Sequence, residues 1–124
     1  MRLHHLALRT GDLERLERFY VDVLGLAVVA RTPPRSVWLD AAGTLVMLER
    51  KNRDEPSVPE GSLELVAFAV DPEGHERLAS RLREAGIAIE ASTSYSVYFR
   101  DPDGRRVGLS SYPTPRTTVE APAR

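Results

Sequence analysis

FRDPDGRRVGL, residues 99–109, reads as a strand, a tight turn and a returning strand. Asp101-Pro102-Asp103-Gly104 places proline where φ is already fixed and glycine where φ can be positive. Apolar side chains alternate with polar ones on both flanks, Val97 and Phe99 before the turn and Val107 and Leu109 after it. That period of two marks a sheet with unlike faces. The pattern has an earlier counterpart in WLDAAGTLVML, residues 38–48: Trp38 and Phe99, Asp40 and Asp101, Gly43 and Gly104, Val46 and Val107, Leu48 and Leu109 are each 61 positions apart. The chain reads as an internal duplication.

Working outward, each copy shows the same order. Leu3 to Arg9 alternates as a first strand, and Asp12 then caps a helix whose stripe is Leu13, Leu16, Tyr20, Val23 and Leu24, ending at Gly25. Leu26 to Ala30 is a short strand, and Ser36–Leu39 with Thr44–Glu49 forms the first hairpin. Residues 50–62, RKNRDEPSVPEGS, have no period and read as a connecting loop. In the second copy Leu63 to Val70 is the strand, Asp71-Pro72 starts a helix striped by Leu78, Leu82 and Ala85, Ile87 to Glu90 is the short strand, and the hairpin follows. The fold expected is α+β: one domain over residues 1–112, made of two tandem βαβββ modules (about 1–50 and 62–112), with a C-terminal tail at 113–124 that frays. With a helix on one face of each four-stranded sheet, the modules close into a cup-shaped eight-stranded mixed sheet, helices on the convex side and a ligand pocket on the concave side.

Composition narrows the function classes. At 124 residues with 28% charged residues, the chain supports one core shared by both copies. A net charge of −1 with acids and bases interleaved leaves no electrostatic footprint for nucleic acid or an anionic membrane. The absence of cysteine excludes disulfides, thiolate ligands and a cysteine nucleophile. MRLHHLAL carries two histidines where a signal peptide needs its apolar run, so the expectation is a soluble cytoplasmic protein. No nucleophile–base pair, phosphate loop or cofactor fingerprint is present.

HHLALRTGDLERLERFYVDVLGL near the start, the Asp-Pro-Asp-Gly hairpin near the end and the tandem βαβββ order resemble the vicinal oxygen chelate superfamily, which includes glyoxalase I, extradiol dioxygenases, fosfomycin-resistance transferases and bleomycin-resistance proteins. The resemblance covers residues 1–112 and implies the cup, a homodimer in which a cup can be completed by a module from each subunit, and, in catalytic members, a divalent metal held by His and Glu on the inner strands. It places those ligands at His5, Met47, Leu65 and Gly108, of which only His5 can ligate. Glu49, two residues past Met47 and on the same face, is the nearest substitute; Glu64, beside Leu65, is expected on the opposite face.

Parity places Leu3, Ala7, Arg9, Leu45, Leu63, Ala67, Ser96, Tyr98, Arg100, Arg106 and Ser110 on the concave face with those positions. The candidate ligand contacts are His5, Met47, Glu49, Leu65, Ser96, Tyr98, Arg100, Arg106 and Gly108. Tyr98 offers a ring for stacking and a hydroxyl for orientation, at a position where fosfomycin-resistance relatives also resemble this chain in having Tyr. Arg100 and Arg106 can pair with an anionic ligand or extend into solvent. Trp38, matched to Phe99, is expected on the helix side, with the concave face as its alternative; His4 packs at an edge and His75 is solvated. The first functional reading is a small-molecule binder of the bleomycin-resistance type that sequesters an organic ligand without a cofactor. The second is a metal-dependent, glyoxalase I-like lyase or dioxygenase using His5, Glu49 and a donor from a partner chain.

Overall fold

Asp12 and Asp71, extended residues just before the two apolar stripes, start both helices as their sequence positions require. Asp12 Oδ1 accepts from the Arg15 amide at 3.1 Å and Asp71 Oδ1 from the Gly74 amide at 2.6 Å, with Pro72 in the first turn of the second helix. In the computed structural model, which describes residues 1–113, the first module is β1 (His5–Thr10), α1 (Leu13–Arg18) continuing into a π-helical turn (Phe19–Val23), β2 (Ala27–Thr32), β3 (Ser36–Ala41) and β4 (Thr44–Arg50). The second is β5 (Leu65–Ala69), α2 (Pro72–Glu84), β6 (Ala91–Ser92), β7 (Ser96–Arg100) and β8 (Arg106–Ser110). The tail from residue 114 on, expected to fray, lies outside the described residues.

The eight strands form two four-stranded mixed sheets, ordered β1-β4-β3-β2 and β5-β8-β7-β6. In each, the first strand runs parallel to the last and the hairpins are antiparallel. One strand is displaced from its expected place: Ile87 and Ile89 turn inward against the core, and the ladder begins only where the Glu90 amide donates to the Tyr98 carbonyl at 2.7 Å. β6 is therefore Ala91–Ser92 rather than Ile87–Glu90.

The core lies under the helices and is common to both modules. Leu8, Leu39, Val46 and Leu48 from one sheet and Val97, Phe99, Val107 and Leu109 from the other are buried with Leu16, Phe19, Tyr20 and Leu82 from the helices. Phe19 meets Phe99 and Tyr20 meets Phe68, at ring separations of 6.0 and 6.4 Å. A polar latch crosses the same boundary. Asp101, whose side chain is fully buried, accepts at Oδ2 from Tyr20 Oη at 2.7 Å and from Arg105 Nη1 at 2.6 Å, and at Oδ1 from the Asp103 and Arg105 amides. Arg105 Nη2 continues to the Arg9 carbonyl at 2.9 Å, tying the second hairpin to β1. Burial, then the adjacent Asp101, raises the Tyr20 pKa well above the ordinary phenol value and keeps the hydroxyl a donor.

The duplication is out of step by one residue at the hairpins. β3 and β4 are joined by Ala42 and Gly43, both at positive φ (52° and 102°), the two-residue connection that suits sheet twist. β7 and β8 are joined by Asp101 to Arg105, between the paired Arg100 and Arg106. Leu39 pairs with Val46, but Phe99 pairs with Val107, so the last strands correspond at a spacing of 61 and the strands before them at 60. Trp38 is thus the counterpart of Tyr98, not of Phe99, and stands on the face opposite the helices.

Candidate small-molecule site

Register fixes which side chains share the face away from the helices. In the first module His5, Ala7 and Arg9 lie beside Leu45, Met47 and Glu49, which in turn face Asp40, Trp38 and Ser36. In the second, Leu65, Ala67 and Ala69 lie beside Arg106, Gly108 and Ser110, facing Arg100, Tyr98 and Ser96. The parity reading of the concave strands agrees with this register.

On the first face the aromatic groups gather at one end and the charges at the other. His5 and Trp38 meet edge to face at 5.0 Å, which corrects the helix-side expectation for Trp38. His4 is exposed and its Nδ1 lies 2.9 Å from His5 Nδ1, so one ring donates to the other. At the far end Arg9 donates to Glu49 and, at 2.6 and 3.0 Å, to both oxygens of Glu55 from the connecting loop. The Arg9 hydrogen bond, with a further one from the Asn52 amide, lowers the Glu55 pKa to about 2; the two carboxylates raise that of Arg9. Glu49 is therefore committed to Arg9. It is also four register positions from His5, about 13 Å along the strands.

The second face carries a strip of three cross-strand pairs. Ser96 Oγ donates to Ser110 Oγ at 2.7 Å. Next to them the Tyr98 ring lies across Gly108: a Cβ built on Gly108 meets Tyr98 Cδ1 at 3.1 Å and Cε1 at 3.2 Å, and Leu65 Cδ1 at 3.4 Å. The glycine makes room for the ring. At the far end Arg100 and Arg106 are directly paired across the strands and share Glu90, which accepts from Arg100 Nε at 2.7 Å and Nη2 at 3.1 Å and from Arg106 Nε at 3.2 Å. Chiefly through its hydrogen bond to Arg100, Glu90 is held below the ordinary carboxylate pKa, and Arg100 is raised in return. Neither arginine is simply solvated.

Glu90 and Glu55 pair with the face arginines without having been marked in the sequence, and Trp38 lies on the face expected only as its alternative to the helix side. Only Trp38 had a usable signal, since a two-residue Ala42-Gly43 turn sets Trp38 opposite Met47. His75, expected in solvent, is half-buried, with Nε2 enclosed and without a hydrogen-bond partner among the described residues. A cavity of about 760 Å³ opens at the seam between the modules, among Leu6, Val46, Val66, Phe68 and Leu78. A second, about 500 Å³, reaches the first face at Ala7 and Arg9 and is bordered by Glu55 and Arg105. The seam is mainly apolar; the polar groups able to orient a ligand converge on the strand faces instead.

The family model described as Glyoxalase/Bleomycin resistance protein/Dioxygenase superfamily matches residues 2–109. The chain belongs to this superfamily. It is 33% identical over 111 residues to the glutathione transferase FosA of Serratia marcescens, covering 86% of this chain and 78% of that protein. Among solved structures, lactoylglutathione lyase from Agrobacterium tumefaciens superposes with a TM-score of 0.71 at 25% identity, over 88% of this chain and 92% of that one. A mutant FosX from Listeria monocytogenes, solved with Mn(II) and 1S,2S-dihydroxypropylphosphonic acid, superposes with a TM-score of 0.78 at 16% identity, over 94% of both chains. This superfamily member is thus related to fosfomycin-resistance and glyoxalase proteins.

The donor set that a metal requires is a separate matter from the fold. Of the four positions expected to hold ligands, Met47, Leu65 and Gly108 offer no carboxylate or imidazole, and the space above Gly108 is taken by Tyr98 and Leu65. Among the described residues no group of three or more His, Cys, Asp or Glu side chains converges. A lone imidazole does not supply the several ligands from which such sites draw their affinity. The residues of this chain do not fit the superfamily's metal. Among the described residues no helix is long and apolar enough to cross a membrane.

Proposed function

We propose that this protein binds a small organic molecule on the concave strand faces without a divalent metal, and acts by sequestering it. The observation that carries the reading is the Tyr98 ring lying over Gly108. Where a catalytic relative would present a carboxylate, this chain presents an aromatic surface flanked by Leu65, which is 43% exposed. An aromatic ring, aliphatic side chains and a few oriented polar groups make a surface for holding an organic ligand. His5, paired with His4 and edge to face with Trp38, serves in this reading as a lining group and hydrogen-bonding partner.

The reading includes a homodimer. Among the described residues β1 and β5 end their sheets with unpaired edges, and beside them Leu3 (66% exposed), Leu63 (73%) and Leu65 leave apolar surface in water. Setting β1 of one subunit against β5 of its partner covers this surface and joins a first-module face to a second-module face. The proposal keeps the protein in the cytoplasm, in line with its lack of cysteine.

Thermal unfolding with and without nickel, zinc, iron(II) or manganese tests the metal-free reading. The expected result is an unchanged midpoint with each metal. A rise of several degrees that is abolished by His5→Ala would instead support the metal-dependent lyase or dioxygenase reading.

A further inference from the structure

Arg100 and Arg106 stand directly opposite each other on β7 and β8, an arrangement that ordinarily destabilises a sheet. Glu90 supplies one carboxylate for the two guanidinium groups, which leaves the cluster with an excess positive charge. The two arginines are not equivalent. Every nitrogen of Arg100 is engaged: Nε and Nη2 donate to Glu90, and Nη1 donates to the Ser62 carbonyl at 2.6 Å and the Gly104 carbonyl at 3.3 Å. Arg106 is fixed on one edge by its Nε bond to Glu90 and on one face by Tyr98, whose ring centre is 4.6 Å from Arg106 Cζ. Among the described residues neither of its terminal nitrogens has an acceptor, although its side chain is only 21% exposed.

A guanidinium held on one edge and one face, with its two-nitrogen fork open, is prepared for a planar or tetrahedral oxyanion. Preorganisation lowers the entropy lost on binding, and the excess charge is of the sign such a group requires. Tyr98 and Leu65, closing over Gly108 beside the fork, offer an apolar surface next to the anion's place.

We infer that the Arg106 fork and the Tyr98–Leu65 surface recognise an organic acid, a carboxylate or phosphonate head carrying an apolar or aromatic body. This rests on the pocket proposed above and names the chemistry of its ligand. Glu90 and Arg100 position Arg106 and are not themselves contacts of the acid.

Calorimetric titration of the purified protein with phenylacetate, benzylphosphonate and the neutral 2-phenylethanol tests the inference. At least one acid binds, at least tenfold more tightly than the alcohol, and the comparison of the two acids identifies the preferred head group. Arg106→Gln weakens that acid at least tenfold, and Arg106→Lys, which keeps the charge without the fork, weakens it severalfold; circular dichroism confirms that both variants stay folded. Equal binding of acid and alcohol, or unchanged acid affinity in folded Arg106→Gln, overturns the inference and leaves the metal-free binder standing. Failure of both acids to bind also overturns it; if stoichiometric metal is found in the same protein, the binder reading falls with it.

Discussion

The two modules share one backbone plan and carry opposite charge among the ion-paired groups on the faces away from their helices. In the first, Arg9 is matched by two carboxylates, Glu49 and Glu55. In the second, Glu90 is shared by two arginines, one with an open fork. The middle of each face differs as well: Trp38 stands opposite Met47 and beside His5, whereas Tyr98 lies over a glycine. Strand order and register set where side chains meet, and the chemistry at those places has diverged. The first half keeps one imidazole, His5, beside Met47; the second carries Leu65 and Gly108 at the matching positions, with the Tyr98 ring over the glycine.

The largest effect that separates the halves is expected at their hairpins. Asp40, near the end of β3 in the first hairpin, only accepts from the Gly43 amide at 2.8 Å, while Asp101 in the second hairpin is buried and takes four donors. Asp101→Ala strands the Arg105 guanidinium and the Tyr20 hydroxyl, and urea unfolding should show a loss of about 3–5 kcal/mol. Asp40→Ala should cost about 1 kcal/mol or less. Comparable losses at the two positions would mean that the second hairpin is not the latch between modules.

An intermediate effect is expected where the faces differ most in shape. Gly108→Ala puts a methyl group 3.1 Å from the Tyr98 ring, which must give way by a few tenths of an ångström, with an expected loss of about 1–3 kcal/mol in denaturant melts. The added Tyr98→Ala change should remove most of that cost, because the clash partner is gone. Additive losses would show that the ring is not seated over the glycine.

The smallest effect is electrostatic and belongs to the first face. Because Arg9 depresses the folded-state pKa of Glu55 to about 2 from an ordinary 4.5, the stabilisation from this pair is complete above about pH 4.5 and is lost as the pH falls from there towards 2. Melting temperatures of wild type and Glu55→Gln should therefore differ by at most a few degrees at pH 7 and converge at pH 2. A gap that persists or widens at low pH would contradict the pairing.

Much of this was legible in the chain. Alternation put the residues of β1, β4, β5, β7 and β8 that share the face away from the helices on one side, as the register has them, because a sheet with one buried face cannot slip by one residue without exposing its core. Both helix starts followed from Asp12 and Asp71. Trp38 was misplaced because the two turn motifs align at a spacing of 61 while the strands before them align at 60; the extra residue lies in the second turn, where sequence similarity cannot show it. Asp101 looked like an ordinary turn former, and its burial depends on Tyr20, 81 positions away. Glu90 and Glu55 lie outside the regular strands, so no periodicity marked their pairing with Arg100, Arg106 and Arg9.

The central claim is that a metal-binding fold has here become a metal-free binding surface. Metal analysis of the protein purified without chelators tests it most directly. The account predicts nickel, zinc, iron and manganese far below one equivalent per chain, with no difference between wild type and His5→Ala. Close to one equivalent of a divalent metal, lost in His5→Ala, would contradict it.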